Sequence, residues 1–126
     1  MPVRCGGMSQ EEREPAQITS DERGLIEACS RCYSACAETF NYSLENVGLG
    51  NARHLRLLID AGEILQATQN ALLRGSELQV MLAAVCMEAC EKVADSCRHL
   101  DGSDGQLRAC AEACDEAAAA AHTLAI

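Results

Sequence analysis

The apolar positions of the chain fall into stretches with the period of a helix. In the first, Leu25, Cys29, Cys32, Cys36 and Phe40 recur every three or four residues, and in a later one Leu82, Cys86, Cys90, Val93 and Cys97 do the same. Residues at that spacing share one face of an α-helix, and an apolar face turns to the core. Local punctuation then sets the limits of four helices. Thr19 with Glu22 fits a capping box and opens a helix from about residue 20 to 46, which stops at Gly48 and Gly50. Asn51 caps a second helix that runs to about residue 74 and stops at Gly75. Ser76 with Gln79 reads as another capping box, for a helix ending near Leu100 ahead of Asp101 and Gly102. Ser103 with Gln106 opens the last, which runs through the alanines of 117–121 towards the C-terminus. Residues 1–18 hold both prolines and no apolar period, so they read as a mobile tail ahead of one bundle, 19–126.

Composition narrows the class. The 126 residues suffice for one core, and only 2% are aromatic. The chain favours Ala, Leu, Glu and Gln, which are helix formers. The expected fold is all-α, an up-down-up-down four-helix bundle with tight turns. A formal net charge of −9 argues against nucleic acid or an anionic membrane as partner, since both need clustered Lys and Arg. No segment approaches the ~20 apolar residues of a membrane span. The first twenty residues lack the apolar region of a secretory signal, so a cytoplasmic location is expected, where thiols stay reduced. Nine cysteines in that setting point to metal or thiol chemistry and away from a disulfide framework.

Eight of those cysteines lie on three of the four helices: Cys29, Cys32 and Cys36; Cys86, Cys90 and Cys97; Cys110 and Cys114. Their spacing places them on the core faces, so the core is expected to be thiol-lined. Counted from the turns at 1.5 Å per residue, Cys97 and Cys110 lie roughly 6–9 Å up the bundle. Cys36, Cys90 and Cys114 follow at roughly 15–18 Å, and Cys32, Cys86 and Cys29 at roughly 22–28 Å. Each Cys-x-x-x-Cys pair can hold a soft ion between sulfurs about 4.6 Å apart, and thiolate selects Cu(I) among first-row metals. A buried cysteine also packs as a small hydrophobe, so facing the core alone decides nothing. Three such pairs on three helices are harder to explain by packing.

These residues resemble the bacterial copper storage proteins. The resemblance covers roughly residue 21 to the C-terminus and is strongest at 54–60 (HLRLLID), 73–78 (LRGSEL), 86–90 (CMEAC) through Cys97, and 110–114 (CAEAC). It implies a thiol-lined bundle holding many Cu(I) ions, often within a homo-oligomer, a tetramer. The chain departs from that family where further thiols are expected, at Ala61 and Leu65 on helix 2 and at Ala83, Val93, Ala117 and Ala121 elsewhere. A reduced ligand set follows.

Other constellations carry less. Cys29 and Cys32 form a Cys-x-x-Cys, but Cys29 lies two turns inside a helix rather than at the N-terminus that lowers a thiol's pKa. Tyr33 stands where haem attachment needs His, and the spacings match neither ferredoxin pattern. His54 and His99 fall at the end of the bundle that holds Cys97 and Cys110. Each is a surface imidazole or a ligand that passes metal inward, and His122 lies alone at the other end. Met1, Cys5 and Met8 in the tail read as a chance cluster, and Met81 and Met87 as packing or oligomer contacts. No nucleophile–base pair, phosphate loop or convergent carboxylates appear, so no enzyme is expected. Three readings remain: storage of Cu(I) by the eight core cysteines with His99 and His54, a structural zinc tetrathiolate near Cys36, Cys90 and Cys114, and a metal-free interaction or redox-sensing bundle.

Overall fold

The structure, a computed structural model, describes residues 17–46 and 48–125. Residues 1–16 of the expected tail, with Met1, Cys5 and Met8, lie outside the described residues, while Ile18 packs against the core. Four helices follow one another: α1 (Ser20–Glu45), α2 (Ala52–Leu73), α3 (Gln79–Asp101) and α4 (Gly105–Leu124). Each packs on two neighbours, α1 on α2 and α4, and α3 on α2 and α4, which is the square of an up-down-up-down bundle.

The caps show why the helices begin and end where they do. Thr19 Oγ1 accepts the Glu22 N–H at 3.1 Å and the Glu22 carboxylate accepts the Thr19 N–H at 3.0 Å, so the expected box forms. The Thr19 backbone bond, then Gln79 at 2.6 Å, holds Glu22 below the usual carboxylate range and ties α3 to the start of α1. Asn51 accepts the His54 N–H at 2.8 Å and opens α2. That helix closes in a Schellman motif: Ser76 N–H donates to Ala71 O and Gly75 N–H to Leu72 O, with Gly75 at φ +63°. A side chain at that φ would be strained, so glycine is required there.

Two expected boxes are absent. Ser76 is consumed by the turn, its hydroxyl accepting from Leu78 N–H at 3.0 Å, while Gln79 reaches across to Glu22. Helix α3 therefore starts at Gln79 with Leu78 before it and no side-chain cap. In the same way Ser103 turns back to Asp101 at 2.7 Å, and Asp104 caps α4 by accepting from Leu107 N–H at 2.9 Å. Asp104 has further support from Tyr42 of α1, whose hydroxyl donates to it at 2.5 Å. The aspartate is held below its usual pKa by Tyr42 first and by the Leu107 N–H second, and the Tyr42 phenol is pushed up in return.

Between the helices lies one core. Leu25, Leu58, Leu65, Leu72, Leu107 and Val93 fill it together with eight cysteines, all buried. Helix α2 contributes Leu58, Ala61, Leu65, Thr68 and Leu72 and no thiol, so it forms an apolar wall along one side of the sulfurs. No helix among the described residues is long and apolar enough to cross a membrane.

Candidate metal centre

Cys29, Cys32 and Cys36 come from α1, Cys86, Cys90 and Cys97 from α3, and Cys110 and Cys114 from α4. All eight are free thiols. The sulfurs of Cys32 and Cys114 lie 3.5 Å apart, and those of Cys32, Cys36 and Cys114 all fall within 4.8 Å of one another. Neighbouring thiols extend this cluster both ways. Cys36 and Cys114 meet Cys110, which meets Cys97, while Cys32 meets Cys90, which meets Cys86 and then Cys29. The eight sulfurs thus form one continuous column.

The column differs in one respect from a count along the helices. That count places Cys32 a layer above Cys114, whereas the two touch. Three contacts share the register responsible: Cys32 with Cys114, Thr39 with Gln106 at 2.9 Å, and Tyr42 with Asp104. At that register α4 begins opposite Asn41, so the last turn of α1 overhangs it and heights counted from the helix ends are one turn out. Cys114 consequently sits between Cys32 and Cys36 and bridges two turns of α1.

Crowding shapes the acidity of the thiols. Cys110 is driven far below its ordinary value because its sulfur accepts from Cys114, Cys36 and Cys97. Cys32 is driven down by Cys114, Cys36 and Cys90, and Cys86 falls to about 4 by bonds from Cys29 and Cys90. Their donors move up: Cys114 by its bond to Cys110 first, Cys29 by Cys86, Cys97 by Cys110 and Cys36 by Cys110. At Cys90 the bond to Cys114 pulls down, but the bonds to Cys32 and Cys86 with burial outweigh it. Burial makes charge costly on every sulfur of the column, and a soft cation supplies the countercharge that burial denies them.

Fit to a metal can be tested on distances. Two bonds near 2.3 Å in line need sulfurs about 4.6 Å apart, and three in a plane need about 4.0 Å. A cluster with one separation of 3.5 Å and all within 4.8 Å brackets both. A tetrathiolate at Cys36, Cys90 and Cys114 finds less support. Cys90 stands outside the three-sulfur group, and no fourth ligand joins that group among the described residues.

The histidines separate sharply. His54 is buried, where one expectation had it on the surface, because its Nε2 pairs with Ser43 Oγ at 3.1 Å and its Nδ1 with Ser96 Oγ at 3.0 Å. Both ring nitrogens are thus occupied. His99 and His122 are exposed. The polar groups beside the thiols were missed from the sequence. Thr39 is buried beside Cys110 and accepts from Gln106, Thr68 is buried beside Cys86 and donates to the Ile64 carbonyl, and Ser43 and Ser96 clasp His54. Their signal was present, since Thr39 and Ser43 follow Cys36 at helical spacing on the same face.

Four helices around a column of reduced thiols define a class, a cysteine-lined bundle built to take up soft metal ions. The family model of the copper storage proteins matches residues 18–126, and the chain belongs to that family. Among solved structures, the Cu(I)-bound copper storage protein BsCsp3 is 27% identical, with a TM-score of 0.79, over 85% of this chain and all of its own. A structure of a Nitrosospira multiformis protein is 31% identical over 82% of this chain and 96% of its own, with a TM-score of 0.68. A copper storage protein of Streptomyces lividans loaded with 10 copper equivalents is 23% identical and shares the fold, with a TM-score of 0.80 over 91% of this chain and 94% of its own. No curated protein matches the chain.

Proposed function

We propose that this chain binds and stores Cu(I) in its core, with Cys29, Cys32, Cys36, Cys86, Cys90, Cys97, Cys110 and Cys114 as ligands. The observation that carries this reading is the cluster of Cys32, Cys36 and Cys114, three sulfurs within 4.8 Å of one another and without a fourth among the described residues. Zinc favours four tetrahedral ligands, whereas the soft Cu(I) ion is satisfied by two or three thiolates. Binding is reversible sequestration without turnover. The protons displaced from the thiols leave as metal loads, so affinity rises with pH.

His99, exposed two residues beyond Cys97, is the imidazole we place at the lower end of the column as a weaker ligand outside it. With both nitrogens of His54 held by serines, its part is structural. The protein works in the cytoplasm, where its thiols stay reduced, as the Streptomyces lividans relative described as cytosolic does. Leu73, Leu78, Val80, Met81 and Val85 are exposed around the start of α3 and supply an apolar contact for a homo-oligomer, a tetramer by the family resemblance.

The test is an anaerobic titration of the reduced protein against a chromophoric chelator, with Cu(I) in one series and Zn²⁺ in the other. Several Cu(I) ions held per chain against the chelator, with zinc released, uphold storage. One tightly held zinc with little copper contradicts it.

A further inference from the structure

The apolar wall along α2 is not closed evenly. Between α1 and α2 runs a groove of about 470 Å³ that opens to solvent. Tyr33, Phe40 and Ile59 line it together with the polar Asn41, Glu63 and Gln66, and Leu58 and Cys36 lie deeper. Gly62 faces it from α2: a Cβ added there would meet only the Tyr33 ring, at 3.6 Å. Tyr33 is 44% exposed and Ile59 47%, whereas Cys36 is 1% exposed, so the groove descends from the surface towards a cysteine whose sulfur is shielded from solvent. That sulfur belongs to the three-thiol cluster, while Cys32 and Cys114 do not line the groove.

We propose that this groove is a lateral port, with Tyr33 at its mouth and Gly62 beneath the Tyr33 ring, through which a small thiol complex of Cu(I) reaches Cys36 at mid-height of the column. The occupant follows from what lines the site. Its volume suits a small molecule, Tyr33, Phe40 and Ile59 give a sulfur ligand polarizable contact beside the polar groups of Asn41, Glu63 and Gln66, and the cysteine below is a soft ligand. Ala61 and Leu65 offer no thiol on the α2 side, so the first thiol an incoming ion meets is Cys36. Transfer is a ligand exchange without redox change. Each copper–sulfur bond to the carrier that breaks is replaced by one to a protein thiolate. The proton of that protein thiol leaves on the released carrier thiol. The port rests on the storage reading, and it supplies the middle of the column independently of the end beside His99.

The first measurement needs no copper. The reduced, copper-free full chain is treated with limiting N-ethylmaleimide, and the labelled cysteines are mapped by mass spectrometry over time. Access governs buried thiol reactivity, so Cys36 labels ahead of Cys32 and Cys114, Gly62→Leu slows it about 5-fold or more, and Tyr33→Ala speeds it by a similar factor. Labelling of Cys97 is unchanged in both, and His99→Ala leaves Cys36 unaffected. Should Gly62→Leu lose its helical circular dichroism, Gly62→Ala replaces it and shows the same sign with smaller size. The second measurement follows transfer from a Cu(I)–glutathione complex, whose rate shifts in the same directions while final capacity is constant. Cys36 labelling no faster than Cys32 and Cys114, or indifferent to positions 33 and 62, overturns the port. Protection of Cys36 that grows with protein concentration assigns the groove to a second copy of the chain and overturns it too. A parent that takes up no Cu(I) removes the storage reading and the port together, whereas full uptake at rates indifferent to both positions removes the port alone.

Discussion

His54 holds one hydroxyl from α1 at Nε2 and another from α3 at Nδ1, and a neutral ring does both by donating through one nitrogen and accepting at the other. Burial is the main reason its pKa lies below 6.5; the charge of Cys110 opposes this and Arg53 adds to it. The consequence for stability has a definite sign. In the unfolded chain the ring takes up a proton as pH falls through about 6.5, and in the folded chain it does so only lower. The unfolded state therefore binds more protons in that window, and stability falls as pH falls, by at most about 1.4 kcal/mol per pH unit. The copper-free protein should lose more melting temperature between pH 7.5 and 5.5 than His54→Gln does, and equal losses would remove this account of the clasp. Nothing at the sequence level distinguishes His54 from His99, since each lies at a helix end near a cysteine. What separates them is whether serines from two other helices converge on the ring, and that is a fact of packing. The cysteines were legible for the opposite reason: a spacing of three, four and seven residues fixes a face without any knowledge of the neighbours.

At the scale of the elements, every helix was legible and the caps only partly. Thr19 and Asn51 act as their sequence suggests, because nothing nearby competes for their side chains. Ser76 and Ser103 do not, because each lies in a two-helix turn that offers other partners. Two substitutions check this. Asp104→Ala should cost about 1 kcal/mol or more in urea unfolding, by loss of the cap and its bond to Tyr42. Ser103→Ala should cost only a few tenths. A reversed order would return the cap to Ser103. The antiparallel register of α1 and α4 was hidden as well, because it depends on where α4 begins relative to the overhanging last turn of α1. The register also exposes a gap. Val93 is fully buried on α3 between Cys90 and Cys97, where the family resemblance leads one to expect a thiol. Val93→Cys should raise bound Cu(I) by about half an ion to one ion per chain, since one more sulfur joins the column. Unchanged capacity would mean that the sulfurs at this height are already saturated.

As a whole molecule the bundle is held by two kinds of group that metal touches differently. Leu25, Leu58, Leu65, Leu72 and Leu107 are buried regardless of copper, and the caps close helices of 20 to 26 residues. Such a core folds by apolar burial and helix packing, unlike a small metal domain that is unfolded without its ion. Circular dichroism of the reduced, chelator-treated protein should remain strongly helical, and loss of helix on chelation would point to a single structural metal. The thiol column is then cargo space inside a fold that stands without it. Its capacity is what the account most directly commits to. The measurement is the number of Cu(I) ions retained per chain by the reduced protein under anaerobic conditions, in competition with a chromophoric chelator. Eight buried thiols shared among bridged ions predict about four or somewhat more per parent chain, with a clear drop when Cys32, Cys36 and Cys114 are together replaced by alanine. Fewer than about two per parent chain, or a capacity untouched by that triple replacement, would contradict storage in this column.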